Sequence, residues 1–95
     1  MRYFVSRHEG AIQWAKKQQL AIDAWQDHFD VDQAQAGDVV YGTLPIPMVA
    51  QLMARGARYF HLSFEMPKEL RGRELTAEEM DQLQVSLVEY RVEAL

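Results

Sequence analysis

A short strand that breaks directly into a polar knot and then into a helix constrains this chain more than any other feature. Tyr3-Phe4-Val5 are aromatic or β-branched, the residue types that fit a buried strand. Ser6, Arg7, His8 and Glu9 follow without a spacer, and Gly10 opens a segment of helical spacing. This order is the first half of a βαβ unit, and in open α/β sheets ligands collect beyond the carboxyl ends of the strands. A hydroxyl, a guanidinium and an imidazole beside the free N–H groups of a helix start suit an anionic group. A solvated loop with an N-cap reads the same way on this stretch alone, so the rest of the chain has to decide.

Beyond the knot, Ala11, Ile12, Ala15 and Gln19 share one helical face, while Gln13, Lys16, Lys17 and Gln18 point outward. Trp14 is expected at the edge of that stripe. Residues 21–29 alternate partly and read as a second strand, with Asp23, Trp25, Asp27 and Phe29 on one side. Residues 30–38 connect onward, ending in the Gly37-Asp38 turn; their length leaves the pairing of strands two and three open. Val39-Val40-Tyr41 is the third strand. Gly42 to Pro45 end it, and residues 46–55 carry helical spacing through Val49, Leu52 and Met53. Pro45 and Pro47 suit the start of that helix, and Gly56 stands where a C-terminal glycine belongs. Residues 57–64 form a fourth strand, with Tyr59, His61 and Ser63 facing one way. A charged loop over 65–75 contains Pro67 and Gly72, and Thr76 to Glu79 spell a capping box. Met80, Leu83, Leu87 and Tyr90 then predict a last helix running to about residue 91.

The expected order is β-α-β-β-α-β-α in a single α/β domain over residues 1–95: a three-layer sandwich with a mainly parallel sheet of about four strands and three helices. In that layout the loops at 6–10, 42–45 and 63–73 fall on one sheet edge, and His28 joins them. This convergence points to a small anionic ligand over the C-terminal edge.

Composition narrows the chemistry. The chain has no cysteine, which removes disulfides, thiolate catalysis and cysteine-bound zinc and makes a cytoplasmic home the expectation. No apolar run approaches a membrane span and no signal-peptide pattern is present. The net charge of -4 argues against a broad surface for long nucleic acid, though not against a local anion pocket. There is no phosphate-loop or dinucleotide fingerprint. His8, His28 and His61 lack the spacing of a metal set, so neither a metal nor another cofactor is expected. A lone histidine within a strand is more often a hydrogen-bonded core residue than a catalyst. What remains is a metal-free set of Arg, His, Ser and Thr. Such a set can cut RNA-like phosphodiesters, because the ribose 2′-OH already lies beside the phosphorus. The protein need only align it and stabilise charge on the phosphorane oxygens. The products would be a 2′,3′-cyclic phosphate and a 5′-hydroxyl.

The blocks YFVSRHEGAIQWAK, GDVVYGTLP, ARGARYFHLSFEMPKELRGRELTAEEM and EYRVEAL, in that order, span nearly the whole chain. Together they resemble the small CRISPR-associated Csx-sixteen family, found beside type III CRISPR systems. The resemblance implies a Rossmann-like, CARF-like protein that acts as a ring nuclease. Such a protein would be a homodimer that binds cyclic tetra-adenylate on its two-fold axis and cuts it, switching off the signal. Carried over by matching blocks, Ser6, Arg7, His8, Gly42, Thr43, Leu44, His61, Ser63, Arg71 and Arg73 become site candidates. By their chemistry, Arg7, His8 and Arg73 are expected to be catalytic. Ser6, Gly10, Gly42, Thr43, Leu44, His61, Ser63 and Arg71 are expected to bind substrate. A two-fold symmetric ring on the axis of a dimer would meet two copies of Arg7, Arg71 and Arg73. Two other readings use nearly the same residues. One is a non-catalytic binder that sequesters or senses the cyclic nucleotide. The other is an interaction domain in which Arg7 and Arg73 merely pair with neighbouring acids.

Overall fold

Val39-Val40-Tyr41 and Tyr3-Phe4-Val5 have no polar residue to turn toward water, and both segments are buried on both faces of one sheet. The computed structural model describes residues 1–65, 68–70, 72 and 74–95. Its elements run β1 (Arg2–Val5), α1 (Glu9–Lys17), β2 (Ala24–Gln26), β3 (Val39–Gly42), α2 (Ile46–Ala54), β4 (Arg58–Ser63), α3 (Ala77–Gln82) and β5 (Ser86–Tyr90). Single 3₁₀ turns occupy Val31–Gln33 and Lys68–Leu70. The strand order is β2-β1-β3-β4-β5. Four strands run parallel, and β5 returns antiparallel along the outer side of β4.

Two cores flank the sheet. On one face Tyr3, Val5, Val40 and Tyr59 pack under Val49 and Leu52 of α2, with Phe29 and Ala34 from the β2–β3 connection. On the other, Phe4, Val39, Tyr41 and Leu62 meet Ala11, Trp14 and Ala15 of α1 and Met80 of α3. The expected α/β sandwich with a mainly parallel sheet and three helices is therefore the observed architecture, enlarged by a fifth strand. Trp14 sits in the middle of the buried stripe rather than at its edge, because α1 is pressed between the sheet and α3.

The C-terminal region corrects the sequence reading. The capping box is present, with the Thr76 hydroxyl accepting from the Glu79 N–H at 3.1 Å and the Glu79 carboxylate accepting from the Thr76 N–H at 3.0 Å. The helix nevertheless stops at Gln82, and Gln84 takes a left-handed φ of 55° that turns the chain. Beyond it the period changes from helical to two. Leu83, Val85 and Leu87 pack on the α1 face, while Val88 and Tyr90 lie on the other. An unpaired edge of β4 offers more hydrogen bonds to this Val-rich stretch than further helix would.

The second strand is also shorter than the alternation predicts. Only Ala24 to Gln26 pair with β1, and the chain then leaves the sheet, so Phe29 and Trp25 do not share a side. Phe29 meets the Tyr3 ring at 5.0 Å on one face, and Trp25 lies against Phe4 at 5.3 Å on the other. Strands two and three do not pair at all, since β1 lies between them.

Asp38 ties the start of β3 to the chain's beginning. Its buried carboxylate accepts from the Met1 amino group at 2.8 Å and from the Gln35 N–H at 2.9 Å. The amino-group hydrogen bond is the main influence holding its pKa below the ordinary 3.8, against the opposing pull of burial. A depressed pKa stabilises the fold above 3.8, and the contribution is lost as pH falls through the folded-state value. Asp38→Ala should cost about 1.5–3 kcal/mol at neutral pH. Denaturant unfolding of both proteins should show this gap narrowing well below pH 3.8.

Candidate functional site

Because β1, β3 and β4 are parallel and in register, their carboxyl ends share one edge: Val5 pairs with Gly42, and Gly42 with His61. The chain leaves β1 toward α1 on one face and leaves β3 toward α2 on the other. The strand order reverses direction at this point, so the two loops part and open a crevice between β1 and β3. Ser6, Arg7 and His8 form one lip, and Thr43, Leu44 and Pro45 form the other. Asp27 and His28 flank the first lip, and Ser63 ends the strand beyond the second.

The first lip is held locally. The Ser6 N–H donates to the Gln26 carbonyl at 3.0 Å, and the Ser6 hydroxyl accepts from the His8 N–H at 3.0 Å. Arg7 is exposed, and its guanidinium has no hydrogen-bond or ion-pair partner among the described residues. His8 is the N-cap of α1 without a side-chain cap bond, and its Nδ1 lies 3.8 Å from Glu74, both side chains well exposed. The start of α1 therefore presents free N–H groups close to Arg7.

Gly10 does not belong to that lip. It is buried inside α1, and a Cβ there would stand 1.7 Å from the Leu75 carbonyl oxygen. Its lack of a side chain lets the segment before α3 lie on α1, which accounts for the glycine by packing.

The second lip hangs on a residue that the sequence reading placed on a strand face and did not single out. The Tyr59 hydroxyl donates to the Gly42 carbonyl at 3.0 Å and accepts from the Leu44 N–H at 2.9 Å. It also lies 2.7 Å from His61 Nδ1. The backbone groups of Gly42 and Leu44 are thus engaged by Tyr59 rather than offered to a ligand, and exposed Thr43 stands between them. Burial pushes the Tyr59 phenol above its ordinary 10.0, with the Leu44 N–H pulling the other way, so it stays a neutral hydroxyl at neutral pH. A buried tyrosine needs a partner for its hydroxyl, and a histidine two residues along the same strand face was the available signal.

His61 is half-buried beside this hub, with the Tyr90 ring edge-on at 6.1 Å. Ser63 is half-buried, its hydroxyl 3.4 Å from the His61 carbonyl, at a small hollow shared with Phe64, Leu83 and Ser86. The crevice edge thus brings together Ser6, Arg7, His8, Gly42, Thr43 and Leu44, with His61 and Ser63 one strand further. Arg71 and Arg73 lie outside the described residues. Among the described residues, no three His, Asp or Glu side chains gather as a metal site, and no helix is long and apolar enough to cross a membrane. A separate open groove of about 1260 Å³ runs between α2 and the C-terminal segment, lined by Gln51, Met53, Tyr90, Arg91 and Val92. Its lining holds none of these converging groups.

Residues 3–93 match the family described as Putative CRISPR-associated protein (Cas_VVA1548). No curated protein and no solved structure matches the chain.

The lips make a testable contrast. A Cβ on Gly42 would lie 2.6 Å from the Val5 carbonyl oxygen, backbone against backbone at the root of the crevice. Gly42→Ala should therefore destabilise the fold by about 1–3 kcal/mol, as overpacking does. Thr43→Ala, one residue along and exposed, should stay within about 0.5 kcal/mol in the same denaturant titration.

Proposed function

The chain belongs to this family of CRISPR-associated proteins, and on that footing we propose that it is a cytoplasmic ring nuclease that binds and cleaves cyclic tetra-adenylate. The observation that carries the reading is the crevice between β1 and β3, whose lips carry the exposed Arg7 and the start of α1 on one side and exposed Thr43 on the other. An anionic ligand of several phosphates is what a guanidinium and helix N–H groups bind best. The overall charge of -4 does not oppose this, since the cations act at short range within one edge.

In the proposed reaction the protein holds one ribose 2′-OH in line with its neighbouring phosphorus. The 2′-oxygen bonds to phosphorus and the 5′-oxygen leaves, giving a 2′,3′-cyclic phosphate. Arg7 neutralises the extra charge that the equatorial oxygens carry in the pentavalent state. The adjacent nucleophile makes a metal-bound water unnecessary. A C2 dimer would place two crevices around one symmetric ring.

Purified protein incubated with cyclic tetra-adenylate in excess EDTA should yield linear products ending in 2′,3′-cyclic phosphate. Arg7→Ala should lower the single-turnover rate by about 10²-fold, with a smaller loss in equilibrium binding. Lysine at this position should restore only part of the rate, because a point charge does not reproduce the planar fork. Tight binding with an intact ring after long incubation would replace cleavage by sequestration. Strict dependence on a divalent ion would overturn the proposed chemistry.

A further inference from the structure

We infer that His61, and not His8, carries the proton in this reaction, and that Tyr59 positions it by holding the imidazole in its Nδ1–H tautomer. The proton-carrying role rests on the ring-nuclease reading; the tautomer does not.

The assignment follows from counting protons around one oxygen. A phenolic hydroxyl has a single proton and two lone pairs to share. The Leu44 N–H occupies one lone pair at 2.9 Å. If the hydroxyl proton pointed to His61 Nδ1, the Tyr59 oxygen would face the Gly42 carbonyl at 3.0 Å with no proton between two oxygens. Only one arrangement satisfies every contact: the hydroxyl donates to Gly42, and His61 Nδ1–H donates to the second lone pair at 2.7 Å. Burial of the phenol favours its neutral form, which this arrangement requires.

With Nδ1 protonated, the Nε2 of the neutral ring is a lone-pair acceptor. It has no hydrogen-bond partner among the described residues, yet no buried side-chain nitrogen or oxygen there lacks one, so Nε2 reaches solvent. His61 pairs with Gly42, the last residue of β3, and so stands level with the start of the loop after β3. The ring is fixed on one side by Tyr59 and backed by the Tyr90 edge. His8 has none of this: its side chain is 72% exposed, and its Nδ1 lies 3.8 Å from the likewise solvated Glu74 carboxylate. A base that must meet a 2′-OH in one geometry is better supplied by the fixed ring.

The step balances without a further reactant. Nε2 takes the 2′-OH proton as the 2′-oxygen bonds to phosphorus and the P–O5′ bond breaks. The leaving 5′-oxygen takes a proton from water, and the imidazolium returns its own to the hydroxide so formed.

Long-range ¹H–¹⁵N spectra of the ¹⁵N-labelled protein test the tautomer without any ligand. They should show neutral His61 with its proton on Nδ1, and Tyr59→Phe should lose that preference. Finding the proton on Nε2 in the wild type overturns the inference, whether or not the ring is cut and whether or not Tyr59→Phe folds. In single-turnover cleavage, His61→Ala should lose about 10²–10⁴-fold with a smaller loss of binding, and should lose the acid limb of the pH–rate profile. A wild-type rate and pH profile in His61→Ala, with the larger loss in His8→Ala, overturns it as well. A wild type that shows the Nδ1–H tautomer but never cleaves refutes the ring-nuclease reading and the proton role with it, while leaving the Tyr59 hydrogen-bond assignment standing.

Discussion

The parallel pairing of β1 with β3 is the constraint on which the rest depends. Its two strands are buried on both faces, so neither can shift register by one residue without turning its apolar set against the wrong layer. That register brings the Val5 carbonyl against Gly42 so closely that only a glycine fits. From there a right-handed crossover from β1 must cover one face and a crossover from β3, leading the opposite way, must cover the other. The observed positions of α1 and α2 obey this rule, and the divergence of their leading loops is what opens an edge to solvent.

That edge is assembled from short-range devices rather than from a network of charges. Ser6 shapes its own turn and Tyr59 anchors the facing loop, while the two close Arg and Lys ion pairs of the described residues lie away from the edge. Arg58 grips Glu89 bidentately at the amino end of β4, and the Lys17–Asp81 pair joins α1 to α3; both are solvent-exposed and contribute little to stability. The arrangement leaves Arg7 unencumbered. A cation already paired with a carboxylate would have to surrender that partner before meeting a phosphate, whereas Arg7 gives up only water.

Much of this was legible in the chain. Tyr3 to Val5 and Val39 to Tyr41 declare central strands, because nothing in them is polar. The Thr76–Glu79 capping box declares a helix start, and Gly56 its predecessor's end. The segment after Gln82 misleads for a physical reason: Leu83 and Leu87 are four apart and fit a helix, but with Val85 they also fit a strand. A free strand edge elsewhere in the fold decides between the two, and local periodicity does not contain that information. The placement of the candidate site residues was legible to the same depth. Parallel strands imply a shared edge for residues 6–8, 42–44 and 63, and the structure brings them there. Gly10 reads as one of that group because it follows the polar knot, while the Leu75 carbonyl that explains it lies 65 residues away in sequence. Tyr59 reads as an ordinary core aromatic until the loop after β3 is seen to close over its hydroxyl.

Whether a cyclic oligoadenylate binds in the crevice between β1 and β3, as proposed, can be read from a backbone amide chemical-shift titration. The probe is cyclic tetra-adenylate with 2′-O-methyl riboses, which has no nucleophile and stays intact. Binding in the crevice should shift amides clustered at residues 6–9, 43–44 and 61–63. Shifts confined to the groove between α2 and the C-terminal segment, around Gln51, Met53 and Arg91, would contradict it.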